Sequence, residues 1–225
     1  TYVKAPEFVR MIETLMGKET FAEGLALYHD RFRHKNASTD DWIRCMEKVS
    51  GQDFTAMAAV WLKEKEYPVL TVAPSYDPAT RRFNLACRQS HSPGGRPREF
   101  PFRFALADAD GRDIAERTVR IAGEEEEIVI NDVDRPAFLS LNRGYSFYGK
   151  VVYRPPEDEL YLQTAKDADI VGRFTAFNAL AGHEMLRLLE DPGAVVSSRF
   201  ADLCAGLLAD EDRKSTRLNS SHTIQ

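Results

Sequence analysis

Residues 100–107 read FPFRFALA, and large apolar side chains recur at every second position. Successive side chains of an extended strand point to opposite faces, so this spacing places four of them on one face. These are Phe100, Phe102, Phe104 and Leu106. The stretch ADADGRD follows, in which Asp110-Gly111 suits a tight hairpin turn. The pattern predicts a strand whose phenylalanine face lies in the core of a sheet.

Further short strands are predicted on both sides of this one. They cover residues 69–73, 83–89, 126–133, 138–142 and 147–153. Residues 90–98, SHSPGGRPR, read as a loop between the second and third strands. Six or seven short strands at this spacing are typical of a small antiparallel β-sandwich.

The residues before the sandwich follow a helical period. Phe8, Ile12, Leu15 and Met16 fall on one helical stripe, which Gly17 ends. The same spacing recurs in a second helix at Phe21, Leu25, Tyr28 and Phe32.

Two more helices are predicted before the first strand. Ser38 and Asp41 form the S-x-x-D pattern of a capping box that opens a third helix, which ends at Gly51. Asp53 is predicted to cap a fourth helix that runs to about Lys65, and Pro68 prevents helical continuation.

Helical patterns return after the sandwich. Pro155 and Pro156 end the strand pattern, and helices are predicted over residues 160–168, 170–189 and 195–208. The order of the chain is therefore helices, sandwich, helices.

Composition excludes several classes of function. The 225 residues are 43% apolar and 29% charged, with a net charge of -5 and basic residues scattered among acidic ones. A dedicated nucleic-acid surface needs clustered basic residues, and a membrane span needs ~20 consecutive apolar residues, so we expect neither partner. The acidic run Glu124 to Glu127 predicts a solvated hairpin edge.

The cysteines and histidines form no recognisable metal or nucleophile motif. Cys45, Cys87 and Cys204 are far apart, and reduced thiols predict a cytoplasmic protein. His183-Glu184 resembles the start of a zinc-peptidase helix, but Arg187 stands where the second histidine belongs. No G-x-S-x-G occurs.

The end of the chain reads as an artefact. Residues 212–222, DRKSTRLNSSH, match at all eleven positions the translation of a common sequencing-library adapter. We therefore leave residues 212–225 out of the fold prediction, as an artefactual disordered tail.

The first residues resemble a known enzyme family. Residues 1–17 read TYVKAPEFVRMIETLMG, in which Tyr2 and Lys4 stand in a Y-x-K tripeptide that opens a helix. This segment resembles the part of the aminopeptidase N (alanyl aminopeptidase) family that follows its zinc site. The family comprises zinc metallopeptidases of the gluzincin type. The resemblance continues through residues 21–32, 38–54, 60–72 and 76–89, becomes sparse in the middle strands, and returns more weakly over residues 167–180.

The resemblance implies a domain arrangement. Residues 1–67 would be the C-terminal helices of a zincin-type peptidase domain, and residues 68–154 an antiparallel Ig-like β-sandwich. Residues 155–211 would begin an α-helical C-terminal domain.

The resemblance also implies a function. A zinc-dependent hydrolase of this kind removes N-terminal residues from peptides, and Tyr2 inherits the role of donating a hydrogen bond to the oxyanion. The zinc ligands and the general base of the family would lie before Thr1, so we expect this fragment to be inactive alone. The alternatives are a non-catalytic sandwich and helix module that binds a protein partner, and a naturally truncated paralogue that has lost peptidase activity.

Overall fold

The computed structural model describes residues 3–91, 96–191 and 193–209. Tyr2 and the adapter-like residues 212–222 lie outside these ranges. The described chain forms four α-helices, seven strands in two sheets with a short 3₁₀ helix (Arg143–Tyr145) before the last strand, and three further α-helices. The predicted order of helices, sandwich and helices is confirmed.

The four N-terminal helices are α1 (Lys4–Met16), α2 (Lys18–Phe32), α3 (Thr39–Ser50) and α4 (Thr55–Lys63). Gly17, with φ 81°, ends α1, and Gly51, with φ 69°, ends α3. The capping box is confirmed, since Asp41 N donates to Ser38 Oγ over 3.2 Å and Ser38 N donates to Asp41 Oδ2 over 2.8 Å.

The predicted cap of α4 is wrong by one residue. The N-cap position is Phe54, whose side chain cannot accept a hydrogen bond. Asp53 lies just before it and accepts from Thr55 N over 2.9 Å, while Glu47 Oε1 accepts from Phe54 N over 2.8 Å. Asp53 therefore bonds the first turn from the position before the cap, while the Phe54 ring at the cap position is buried in the core.

The sandwich consists of β1 (Val69–Asp77), β2 (Arg82–Ser90), β3 (Phe100–Ala107), β4 (Asp113–Ile121), β5 (Glu125–Ile130), β6 (Phe138–Leu141) and β7 (Lys150–Val152). One sheet has the order β5-β2-β1-β7 and the other β4-β3-β6. The phenylalanine face of β3 is fully buried, as predicted. The acidic run lies on and just before β5, so the predicted solvated edge is confirmed, but the predicted hairpin is wrong because β5 pairs with β2 and the preceding β4 belongs to the other sheet.

Two features of the sandwich differ from the prediction. β4 was not predicted, because its apolar residues are interrupted by charged ones along a half-exposed edge. β7 pairs with β1 in parallel, so the sandwich is not wholly antiparallel. Parallel pairing joins strands far apart in sequence, and local periodicity carries no signal for it.

The C-terminal helices are α5 (Glu157–Lys166), α6 (Ile170–Glu190) and α7 (Ser198–Ala209). Asp169 caps α6 by accepting from Gly172 N over 3.0 Å. No helix among the described residues is long and apolar enough to cross a membrane.

The core is continuous from the N-terminal helices into the sandwich. One buried cluster joins side chains of α1, α3 and α4, such as Met11 and Trp61, to those of both sheets, such as Phe102 and Leu70. A smaller cluster around Leu160 lies between α5 and α6.

Candidate functional site

The predicted catalytic residue Tyr2 lies outside the described residues, and the described residues nearest to it in sequence are those at the start of α1. α1 begins at Lys4, two positions after Tyr2. The N-cap residue Val3 offers no side-chain cap to the free N–H groups of the first turn. Contacts from Lys4 therefore fix this end of the helix.

Lys4 is held by three groups in and after α4. Its Nζ donates to the carbonyl oxygens of Glu64 over 2.5 Å and Glu66 over 2.9 Å. The ammonium also lies 5.6 Å from the ring centroid of Trp61, a cation–π distance. The first turn of α1 is thus tied to the connection that leads from α4 into β1.

The surroundings of Lys4 shift its proton equilibrium. Partial burial lowers the pKa of Lys4, and the nearby Arg98 guanidinium lowers it further. The carboxylates of Glu64 and Glu66 act in the opposite direction.

A second cation, Arg98, lies close enough to Lys4 to affect its pKa. It is 2% exposed, and its Nη2 reaches Glu64 Oε2 only at 3.4 Å. Its Nε and Nη1 have no hydrogen-bond partner among the described residues. Glu64 also pairs with Arg96 over 3.1 Å, so one carboxylate faces two guanidinium groups.

The Trp61 ring, which the Lys4 ammonium contacts, is itself held in place by the sandwich. The ring is fully buried, and its Nε1 donates to the carbonyl of Glu99 over 2.6 Å. The Glu99 side chain pairs with Arg120 of β4, which also donates to the carbonyl of Asp53 over 2.6 Å. Hydrogen bonds from the sandwich therefore fix the position of α4. α4 and the residues after it in turn bind the first turn of α1 through Lys4.

The described residues contain no group of three or more His, Cys, Asp or Glu side chains that could bind a metal ion. Glu184, next to His183, is committed to other partners: it accepts from Arg187 Nη2 and from Ser197 N, each over 2.6 Å. These bonds lower the pKa of Glu184 to about 2. The thiol of Cys87 is buried, which raises its pKa to about 12 and makes it a poor nucleophile.

A cavity among the described residues lies away from α1. It encloses about 570 Å³ and is lined by β6, β7, α5 and α6, including Leu141, Val151, Leu160 and Ala176. These walls are mainly apolar, and none of the lining residues belongs to α1.

The catalytic role of Tyr2 stays a prediction, and the sequence singled out Lys4 only as part of the Y-x-K pattern, without indicating the residues that hold it. Glu64 and Glu66 act through backbone carbonyls, which every residue possesses, so no sequence pattern marks them. Arg98 lies in a segment that reads as a solvated loop, and only the structure shows that it is buried.

Comparison with known proteins gives the class of this chain. Residues 1–61 match the peptidase family M1 domain, and residues 67–154 match a domain of unknown function, DUF3458, with an Ig-like fold. The two matches follow each other in the order in which the structure has the N-terminal helices and the sandwich.

Individual relatives agree with this class. The chain is 33% identical to aminopeptidase N of Escherichia coli over 119 residues, half of this chain and 13% of that protein. It is 27% identical to aminopeptidase N of Caulobacter vibrioides over 217 residues, 93% of this chain and 25% of that protein. The structure superposes on that of Legionella pneumophila aminopeptidase A in complex with aspartic acid, with a TM-score of 0.81 and 25% identity. That match covers 93% of this chain and 24% of the Legionella chain.

The chain belongs to the M1 aminopeptidase family. It contains the C-terminal end of the peptidase domain, the Ig-like sandwich and further helices. It spans a quarter or less of the length of the relatives named here.

Proposed function

We propose that this chain is part of a zinc-dependent aminopeptidase that removes N-terminal residues from peptides. Within it, the Tyr2 hydroxyl donates a hydrogen bond to the oxygen of the scissile carbonyl as negative charge develops there. A phenol with a pKa near 10 stays protonated at neutral pH and can donate this bond. One such donor contributes roughly 10²–10³ in rate.

The observation that carries this proposal is the match of residues 1–61 to the M1 peptidase domain. The anchoring of Lys4 supports it, since a hydrogen-bond donor must be held within a fraction of an ångström to stabilise a transition state. Lys4 is bound at two carbonyls and lies beside a fully buried ring, which makes the start of α1 a rigid base for the residues before it.

Zinc supplies the activation of water in such an enzyme. The described residues do not offer the donor set that zinc requires. We therefore propose that the zinc ligands and the general base belong to parts of the enzyme beyond this chain. The 225-residue chain alone is then inactive.

The sandwich has a structural role in this proposal. Its bonds to α4 hold the peptidase helices, and its polar contacts to Asp167 and Asp169 hold the C-terminal helices. The three free thiols support a cytoplasmic location, because reducing compartments keep cysteines unpaired.

The proposal is tested by comparing two purified polypeptides. One is the 225-residue chain, and the other is the product of the longest reading frame that contains residues 1–211. Zinc content and hydrolysis of an alanyl reporter substrate are measured for both.

We expect about one zinc ion per chain and hydrolysis from the longer polypeptide only. Hydrolysis with stoichiometric zinc in the 225-residue chain would refute the assignment of the zinc site. A longer polypeptide with neither zinc nor activity would refute the aminopeptidase proposal.

A further inference from the structure

The turn at residues 142–146, here called the junction turn, has an unusual backbone. Asn142, Gly144 and Tyr145 have φ values of 53°, 59° and 53°. Residues other than glycine adopt this left-handed region rarely, and they persist there only when their surroundings hold them. The contacts of the turn show what holds it.

The sandwich holds both ends of the junction turn. Asn142 Oδ1 accepts from Ser146 Oγ over 2.9 Å and from Phe147 N over 3.1 Å. Ser146 Oγ in turn accepts from Arg103 N of β3 over 2.9 Å. The two buried bonds at Asn142 close the turn, and the bond from Arg103 N fixes it to the central strand of its sheet.

The C-terminal helices also bind the junction turn. The Arg143 side chain is 7% exposed and forms two hydrogen bonds of 2.6 Å to Asp113 of β4. It also lies 3.5 Å from Asp167, a fully buried carboxylate at the end of α5. Ser140 Oγ of β6 donates to the same carboxylate over 2.9 Å.

Gly144 is the point at which the two flanking helical regions meet. Its N–H donates to Asp169 Oδ1 over 3.2 Å, and Asp169 caps α6. Its carbonyl accepts from Arg10 Nη1 of α1 over 2.5 Å, and Arg10 is itself paired with Glu7. A single residue of the sandwich therefore joins α1 on one side to α6 on the other.

We propose that the junction turn couples α1 energetically to the first turn of α6. Loss of the Arg10 contact frees the Gly144 carbonyl, which loosens the turn and weakens the bond from Gly144 N to Asp169. The coupling stands on contacts within the described residues and does not depend on the aminopeptidase proposal. If that proposal holds, the coupling joins the helix that follows Tyr2 to the C-terminal helices.

The test is a double-mutant cycle in the 225-residue chain, followed by urea unfolding. Arg10→Met removes the contact to the carbonyl, and Asp169→Ser removes the contact to the N–H while serine can still cap α6. We expect the two substitutions to be non-additive by at least about threefold in the unfolding equilibrium constant.

Arg44→Met provides the matched control. Arg44 pairs with Asp41 at the same i,i+3 spacing at which Arg10 pairs with Glu7, but it lies on α3, away from the junction turn. The double variant Arg44→Met with Asp169→Ser should change the unfolding equilibrium constant by the product of the two single effects. If the double variant Arg10→Met with Asp169→Ser also shows only the product of its single effects, the coupling does not exist.

Amide hydrogen exchange gives a second measurement that needs only the single variants. Arg10→Met should speed exchange at Gly144 and Gly172, whose N–H groups both bond to Asp169. Arg44→Met should leave both rates unchanged. Unchanged rates at these two glycines in Arg10→Met would overturn the proposal.

Discussion

Lys4, in the first turn of α1, and its neighbour Arg98 differ in how completely their N–H groups are hydrogen-bonded. Lys4 donates to two carbonyls and keeps part of its surface in solvent. Arg98 is buried, with two donor atoms unpartnered among the described residues and one long contact to Glu64. A buried charge without full hydrogen bonding costs free energy, so the two residues should respond in opposite ways to removal.

We expect Arg98→Met to leave the free energy of unfolding unchanged or to raise it by about 1 kcal/mol. The methionine keeps the apolar stem and removes an incompletely bonded charge, while Glu64 keeps Arg96. Lys4→Met should lower it by about 1–2 kcal/mol, because two charge-assisted bonds are lost. Urea unfolding at neutral pH measures both. A loss of about 3 kcal/mol in Arg98→Met would show that the Glu64 pair is a strong buried salt bridge.

Two glutamates should give opposite pH dependences. Burial raises the pKa of Glu159 above its ordinary 4.5, although Tyr153 and the N–H of Leu139 donate to it. The stability due to Glu159 is therefore present below pH 4.5 and is lost as pH rises through its folded pKa. Glu184, with a pKa lowered to about 2, contributes stability above pH 4.5 that is lost as pH falls toward 2.

The measurement is the urea midpoint of Glu159→Gln and Glu184→Gln relative to the unsubstituted chain, from about pH 3 to about pH 7. Glu159→Gln should gain relative stability as pH rises above 4.5. Glu184→Gln should be the less stable chain at pH 7, and its deficit should shrink as pH falls below 4.5. Parallel profiles for the two variants would contradict the assigned shifts.

At the scale of elements, sequence periodicity predicted those in which large apolar side chains recur at every second position or along one helical stripe. β3 shows its core face directly, and the capping box of α3 is a local pattern that needs no tertiary contact. β4 was missed because its charged residues, such as Arg117 and Arg120, break the apolar alternation. The parallel pairing of β7 and the three-way contacts of Gly144 join distant parts of the chain, so no local pattern could indicate them.

Two glycines of α6 should respond oppositely to alanine. A Cβ on Gly172 would lie 2.1 Å from Asp167 Oδ2, whereas one on Gly182 would meet no atom within 4 Å. Gly172→Ala should destabilise the chain by roughly 1–3 kcal/mol through overpacking. Gly182→Ala should stabilise it by about 0.5–1 kcal/mol, because alanine loses less backbone entropy in a helix. Thermal unfolding compares them, and a neutral Gly172→Ala would mean that α6 can move away from the end of α5.

At the scale of the whole molecule, the N-terminal helices and the sandwich share one core, while the C-terminal helices have a small core of their own. The C-terminal helices are held to the sandwich largely by polar contacts around Asp167 and Gly144. Both helical regions are therefore held by contacts to the sandwich. The sandwich bonds to Trp61 of α4, and Lys4 of α1, two residues after Tyr2, bonds to Glu64 at the end of α4.

The central claim is that Tyr2 belongs to the catalytic apparatus of an M1 aminopeptidase. Its most direct test is Tyr2→Phe in the zinc-containing polypeptide that includes this chain, assayed on an alanyl substrate with zinc content measured in parallel. We predict a fall in kcat of roughly 10²–10³, with KM and zinc content nearly unchanged. An unchanged kcat in the zinc-loaded variant would contradict the account.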